Sequence, residues 1–226
     1  MNDATILYYT ANVEEPAFEE KIRAALVSVV GGHRKNALPV ISVSQKPLDL
    51  GTNICVGVHG ACYANEYRQI LIGAQSAKTT WLIAAEADCL YPPAYFAFDP
   101  PGGDLWRYDN VHILWRNLAY GSAFRKKRNS EGAQVVRREF LIERLQQAFK
   151  GLPEWHDPKE DWGIPVYRQH EWQFYGACTT LDAPSVISVK TGRGVRPTTQ
   201  VQGGSVPEDE LPFWGSAAAL REELFA

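Results

Sequence analysis

Much of what this sequence lacks is informative. Its four cysteines, Cys55, Cys62, Cys89 and Cys178, show no CxxC spacing and sit in apolar or aromatic surroundings. That pattern argues against a zinc site or a disulfide frame and reads as reduced, buried thiols. No apolar run approaches the roughly 18 residues that a membrane span needs. The opening stretch "MNDATILYYTANVEEP" is acidic and has no basic segment ahead of an apolar one, so it does not read as a secretion signal. The expectation is a soluble, cytoplasmic protein without membrane contact. A formal net charge of −3 gives no global nucleic-acid footprint, so such a partner would need a local basic patch. There are no internal repeats and no low-complexity tract. What remains is 226 residues, 45% of them hydrophobic, enough to bury a substantial core.

The order of apolar segments is regular in the first half. "TILYYT" (5–10) reads as a buried strand. "EEPAFEEKIRAALVSVVGG" reads as a helix, with Pro16 in its first turn, Phe18, Ile22, Leu26 and Val29 on one face, and Gly31–Gly32 as its stop. "LPVISVS" (38–44) is a second strand, followed by a loop, "QKPLDLGTNICVGVHG". A helix with Tyr63, Tyr67, Ile70, Leu71 and Ala74 on one face comes next, then a third strand, "TTWLIAAEAD". This alternation predicts a parallel sheet with covering helices, and ligands bind such sheets outside the carboxyl ends of the strands. Later, "VHILWRNLAY" (111–120) reads as a strand and "VVRREFLIERLQQAFKG" as an amphipathic helix. A further strand lies in "CTTLDAPSVISVKTG". The chain closes with a Pro/Gly-rich loop and a short helix capped by Ser216. The second half is expected to pack on the carboxyl edge of the sheet.

Two carboxylates interrupt this pattern. Glu86 and Asp88 come at the end of the third strand, where alternation turns both to one side, placed to face a ligand. Mg²⁺ and Mn²⁺ take oxygen ligands, commonly one or two protein carboxylates with phosphate oxygens and water. The bland alternative is an exposed pair in an ordinary turn. Further on, "WHDPKEDWGIPVYRQHEWQFYG" surrounds Asp157, Glu160, Asp161 and Glu171 with aromatic residues. That suits a pocket that stacks on a sugar or base, or a solvated loop anchored to the core. Asp161 and Glu171 are the chosen candidates for a general base. "AFRKKRNSEG" gathers Arg125, Lys126, Lys127 and Arg128, either an exposed hairpin loop or a phosphate-neutralising patch.

Four motifs in order, "YYTAN", "SQKPLDLG", "YANEYRQILIGAQSAKT" and "EADCLYPP", resemble the nucleotide-diphospho-sugar transferase superfamily (the GT-A fold), near the family 2 glycosyltransferases and their phage-borne relatives. The resemblance covers residues 5–100 well and the remainder loosely. It implies an α/β, Rossmann-type three-layer fold with a mixed, mostly parallel central sheet. Residues 1–100 would form the nucleotide-sugar-binding half and 101–200 the acceptor-side half of the same domain, with 201–226 a C-terminal loop and short helix. Thr10, Ala11 and Asn12 would border the base and ribose, Lys46 and Asp49 would help hold the base, and Arg68 would approach the diphosphate. Glu86 and Asp88 would take the place of the acidic metal-binding signature for Mn²⁺ or Mg²⁺. Ala87 stands where a second acid is common, and "SVKTGRGVRPTT" has no histidine where relatives often supply one. His170 could reach in instead, or Lys190, Arg193 or Arg196 could neutralise phosphate charge.

The implied activity is sugar transfer from a nucleotide-diphospho-sugar, with a uridine-diphosphate-linked donor expected first, to an acceptor hydroxyl. The compact core and the basic run make hydroxymethylated pyrimidine in phage DNA the leading acceptor, with Arg125 to Arg128 contacting it. A saccharide or small molecule is the alternative acceptor. Two competitors remain: a nucleotidyltransferase, disfavoured because "YYTANVEEP" is acidic where a Gly-rich basic signature is usual, and a catalytically inactive nucleic-acid-binding module.

Overall fold

The computed structural model describes residues 3–31, 38–127, 130–159, 177–179, 184–195 and 203–226. In chain order these form β1 (Ala4–Thr10), α1 (Pro16–Gly31), β2 (Val40–Ser44), β3 (Thr52–Cys55), α2 (Tyr63–Ser76) and β4 (Trp81–Glu86). Then come β5 (Cys89–Leu90), α3 (Pro93–Ala97), β6 (Leu105–Tyr108), β7 (Val111–Trp115), β8 (Arg125–Lys127), β9 (Gln134–Arg137) and α4 (Arg138–Ala148). The last elements are β10 (Ala177–Thr179), β11 (Val186–Lys190), β12 (Glu210–Leu211), β13 (Gly215–Ser216) and α5 (Ala217–Phe225).

The central sheet runs β10-β6-β9-β4-β1-β2-β3. Strands β4, β1, β2 and β3 are mutually parallel, as is the β10–β6 pair, while β9 runs antiparallel to both β4 and β6. This is the mixed, mostly parallel α/β sheet that the resemblance implies; the alternation of elements alone predicts a parallel one. A smaller sheet, β5-β11-β7-β8, packs beneath it.

Alternation along β1 divides the core in two. Leu7 and Tyr9 join the cluster under α2 and α4, with Tyr67, Ile70, Leu71, Leu141 and Leu145. Ile6 and Tyr8 face the opposite way, toward Leu26 of α1 and the aromatic group Tyr91, Tyr95 and Phe96. The outer side of α1 packs Phe18 and Ile22 against β11 and the terminal helix α5. Ser216 caps α5 as expected, its hydroxyl accepting from the Ala219 amide at 3.1 Å. Helix α2 lies close on the sheet at Gly73, where a Cβ would come within 2.3 Å of Leu7 Cδ1.

Four boundaries differ from the sequence reading, each for a local reason. The loop after β2 contains β3, an edge strand whose residues are exposed or half-buried and so carry no apolar signature. Strand β4 ends at Glu86, because Ala87 and Asp88 turn the chain toward the second sheet. Strand β7 stops at Trp115. Val135 and Val136 belong to β9, buried in the sheet, and the helix begins only at Arg138. The second half does not sit only on the carboxyl edge: β9, β6 and β10 carry the sheet onward past β4.

Candidate functional site

A cleft of about 130 Å³ opens where β1 and β4 end. Tyr9, Thr10 and Ala11 form one wall and Glu86 to Asp88 the floor. The residues leading into α2, Gly60 to Tyr63, form another side. Lys127, Ser130 and Glu131 approach from the β8–β9 connection, and Lys190 from the end of β11. Parallel strands and the amino end of a helix thus converge on one opening, the arrangement that favours anionic ligands in such sheets.

Glu86 is fixed on all sides. Tyr9 is its partner across the β1–β4 ladder, so both side chains leave the same face, and the Tyr9 hydroxyl donates to Glu86 Oε1 at 3.0 Å. The Glu86 amide donates to the Tyr91 hydroxyl at 2.8 Å, which in turn donates to the Gly132 carbonyl at 2.7 Å. Gly132 lies directly against the carboxylate: a Cβ there would stand 2.3 Å from Glu86 Cδ.

Asp88 reaches the cleft by the turn, not by strand alternation. Its backbone carbonyl accepts from the Val189 amide at 2.7 Å, and its Oδ2 accepts from Lys190 Nζ at 2.8 Å. The Lys190 and Asp88 side chains are 9% and 19% exposed, so this ion pair is largely out of water.

Burial, with Asp88 repulsion second, pushes the Glu86 carboxyl up to about 7. Glu66, in the first turn of α2 and also lining the cleft, is raised well above the carboxylate range by burial and then by Glu86. For Asp88, burial pushes upward, but the Lys190 ammonium and then Lys127 hold it below its ordinary value. Burial followed by the charges of Asp88 and Glu86 drives the Cys89 thiol well up, so it stays protonated. The cleft is therefore less negative near neutral pH than its count of acids suggests.

Two buried amides hold this frame. Gln69 donates to the carbonyls of Thr10 (2.8 Å) and Val43 (3.1 Å), joining the ends of β1 and β2. Asn65, 1% exposed, donates to the carbonyls of His59, Gly60 and His156 and accepts from the His156 amide.

Of the residues singled out from sequence, Thr10, Ala11, Glu86, Asp88, Lys127 and Lys190 meet in this cleft. Asn12 sits one step out, in the left-handed region at φ 52°, and its Oδ1 accepts from the Lys46 amide at 2.9 Å. Lys46 and Asp49 are exposed on the loop beyond. Arg68 points elsewhere: its guanidinium donates to the carbonyls of Glu154 and Pro153 and stacks on Phe149. The basic run is the edge strand β8. Arg125 donates to the Ser205 carbonyl, Lys126 Nζ to Asn110 Oδ1 and Lys127 Nζ to Ser130 Oγ. Asp161, Glu171, His170 and Arg128 lie outside the described residues, as do Glu160 and Arg196; Asp157 is exposed.

Sequence reasoning missed Tyr9, Glu66, Gln69, Glu131 and Gly132. Glu66 and Gln69 carried a usable signal, being polar positions beside the apolar stripe of Tyr63, Tyr67 and Ile70 on α2.

No protein-family model and no curated protein matches the sequence. Solved structures that the comparison finds similar include a glycosyltransferase involved in the glycosylation of the major capsid of PBCV-1, at 15% identity and TM-score 0.40, over 79% of this chain and 82% of that one. S. aureus TarS 1-349 in complex with UDP-GlcNAc is similar at 8% identity and TM-score 0.49, over 92% of this chain and 62% of that one. Glucosyl-3-phosphoglycerate synthase from Mycobacterium tuberculosis is similar at 11% identity and TM-score 0.39, over 68% of this chain and 67% of that one. The likeness is one of general layout, and the chemistry is read from the residues themselves.

The divalent ion that the sequence resemblance implies can be tested against those residues. Glu86, Asp88 and Cys89 each bring one potential ligand atom, all within 4.8 Å of one another. The lysine ammonium already occupies Asp88 Oδ2, the Tyr9 hydroxyl occupies Glu86 Oε1, and the thiol is protonated. Mg²⁺ and Mn²⁺ favour oxygen, and thiols bind metals as thiolates. The other two oxygens, Glu86 Oε2 and Asp88 Oδ1, accept from the Cys89 thiol at 3.6 and 3.4 Å, so a divalent ion would have to displace these partners to be seated here. The cluster carries its own cation.

Proposed function

We propose that the chain transfers a sugar from a nucleotide-diphospho-sugar, uridine-linked in the first instance, to an acceptor hydroxyl. The observation that carries this reading is the cleft itself. It places a fixed acid pair, two lysines and the amino end of α2 together at the carboxyl ends of β1 and β4. Thr10, Ala11 and Asn12, with the Lys46–Asp49 loop, would border the nucleoside, as the sequence resemblance implies. The diphosphate would lie toward Lys190 and Lys127. In an inverting transfer the acceptor oxygen attacks the anomeric carbon, the bond from that carbon to the diphosphate oxygen breaks, and a carboxylate takes the acceptor proton. Asp161 and Glu171 remain the proposed bases. A divalent ion, with His170 as a further ligand, would enter this scheme only by displacing Lys190 from Asp88.

Residues 1–100 would hold the donor and the later chain would present the acceptor. Hydroxymethylated pyrimidine in DNA is the first acceptor to test, supported by the position of β8: Lys127 lines the cleft, and Arg125 and Lys126 continue the same strand away from it. The experiment incubates the protein, with Mn²⁺ and with EDTA, with a panel of nucleotide-sugars and three DNAs: unmodified, hydroxymethylcytosine-containing and hydroxymethyluracil-containing. Nucleosides are then analysed by mass spectrometry, with a Glu86→Ala/Asp88→Ala control. A hexose mass gain that the control loses supports the full reading. Nucleoside diphosphate release with unchanged nucleosides keeps the transferase and points to a saccharide or small-molecule acceptor. Neither product with any donor rejects it and favours an inactive binding module.

A further inference from the structure

We infer that the acid at position 88 holds a lysine in place of a metal ion, so that Lys190, with Lys127 nearby, is the built-in cation for a nucleoside diphosphate and binding needs no divalent ion. The inference rests on the proposed nucleotide-sugar site and specifies how that site handles the diphosphate.

Geometry carries it. Lys190 is the last residue of β11, and its register opposite Trp115 on β7 fixes its backbone. The Val189 amide locks the turn at Asp88 by accepting no freedom there: it donates to the Asp88 carbonyl at 2.7 Å. The two side chains then meet at 2.8 Å with little exposure. A buried ion pair is a poor device for stability, since desolvation offsets most of the attraction. It is a good device for orienting an ammonium. One N–H is spent on Asp88, and an ammonium has three. Lys190 lines the cleft, so in this inference its remaining donors are the ones a phosphate there would meet. Lys127 lines the same opening, and its ammonium is steadied by Ser130 Oγ at 3.0 Å. Two lysines supply the two positive charges that one divalent ion would bring, and the absence of a histidine from "SVKTGRGVRPTT" is then consistent, because Lys190 within that stretch does the work. In this scheme Asp88 is a positioning residue that acts through Lys190.

The test is calorimetric titration of the wild-type protein with UDP, GDP, CDP, ADP and dTDP, in EDTA and again in Mn²⁺, together with electron paramagnetic resonance of added Mn²⁺. The expected result is binding of at least one nucleoside diphosphate in EDTA, with Kd within about threefold of its value in Mn²⁺, and no tightly held Mn²⁺. Lys190→Met should weaken binding in EDTA by about tenfold or more, as loss of a charged hydrogen bond does. The same variant frees Asp88, so Mn²⁺ should now bind and restore part of the affinity, a change a merely structural lysine would not produce. Lys190→Arg keeps the charge but not the shape of the ammonium, and should recover part of the binding in EDTA that Lys190→Met loses. If Lys190→Met does not fold, the wild-type comparison of EDTA with Mn²⁺ still decides. Binding that disappears in EDTA and returns with Mn²⁺ overturns this inference and leaves the transferase reading intact. Failure of all five nucleotides under both conditions overturns the transferase reading, and this inference with it.

Discussion

A Cβ on Gly132 would stand 2.3 Å from the carboxyl carbon of Glu86 and 2.4 Å from its Oε2. The glycine is not needed for its backbone, since it is absent from the positive-φ positions. It is needed for space. Gly132→Ala should therefore fold, but force Glu86 off its bonds to Tyr9 and out across the cleft. Overpacking of this kind costs about 1–3 kcal/mol. The expected outcome is a modestly lowered Tm and a loss of nucleoside diphosphate binding of about tenfold, corresponding to roughly 1.4 kcal/mol. Unchanged binding would show that Glu86 need not be held where it is.

Glu86 also gives the molecule a pH signature. Its carboxyl is raised to about 7 when folded, against 4.5 as the ordinary value. An acid raised in the native state contributes stability that is complete below the unfolded value and is lost as pH rises toward the folded one. Glu86→Gln keeps the acceptor for Tyr9 and removes the titration. Its Tm should match wild type near pH 4.5 and exceed it above pH 7, by on the order of 5 °C. Thermal melts across that window check it, and a gap independent of pH would sink the assignment.

Asn65 ties the loop before α2 to the segment after α4 through three donated bonds and one accepted. Asn65→Ala strands the His59 and His156 carbonyls and the His156 amide, while the Gly60 carbonyl keeps its bond from Gln45 Nε2 at 2.8 Å. The expected cost is about 2–4 kcal/mol, several buried polar groups losing their partner at about 1–3 kcal/mol each before relaxation. Chemical denaturation measures it, and a change below about 1 kcal/mol would mean the segment rearranges freely.

Gly73 offers a test in which two rules oppose each other. Alanine is better than glycine inside a helix by about 1 kcal/mol. Here the added methyl would meet Leu7 Cδ1 at 2.3 Å and Val43 Cγ2 at 2.9 Å. The clash should win: Gly73→Ala is expected to destabilise by about 1–3 kcal/mol. A rise in Tm would show that α2 can lift from the sheet without penalty.

How much of this was legible beforehand depended on how local the signal was. β1, β2 and β4 announced themselves as short apolar runs, because strands buried on both faces need no polar alternation. β3 did not, since Thr52–Cys55 is a half-exposed edge whose support comes from β2. β9 was hidden because Val135–Val136 leads straight into a helical pattern, and only its pairing with β4 and β6 makes it a strand. In the site, Glu86 and Asp88 stood out as charges at the end of an apolar run. Their pairings did not: Lys190, itself a candidate for neutralising phosphate, lies 102 residues from Asp88, and Tyr9 lies 77 from Glu86. Arg68 looked suited to a diphosphate by its place on α2, yet carbonyls at 153 and 154, unreadable from sequence, take its guanidinium.

The dependence of Asp88 on β11 has a consequence for biosynthesis. All of β1 to β4 leaves the ribosome early, but the turn at Asp88 is pinned by Val189 and its side chain by Lys190. The nascent chain can assemble most of its sheet while the cleft stays unfinished. Completion waits for residue 190 to emerge and dock. A fragment ending at residue 180 should accordingly take up secondary structure and yet show no heat in the nucleoside diphosphate titration.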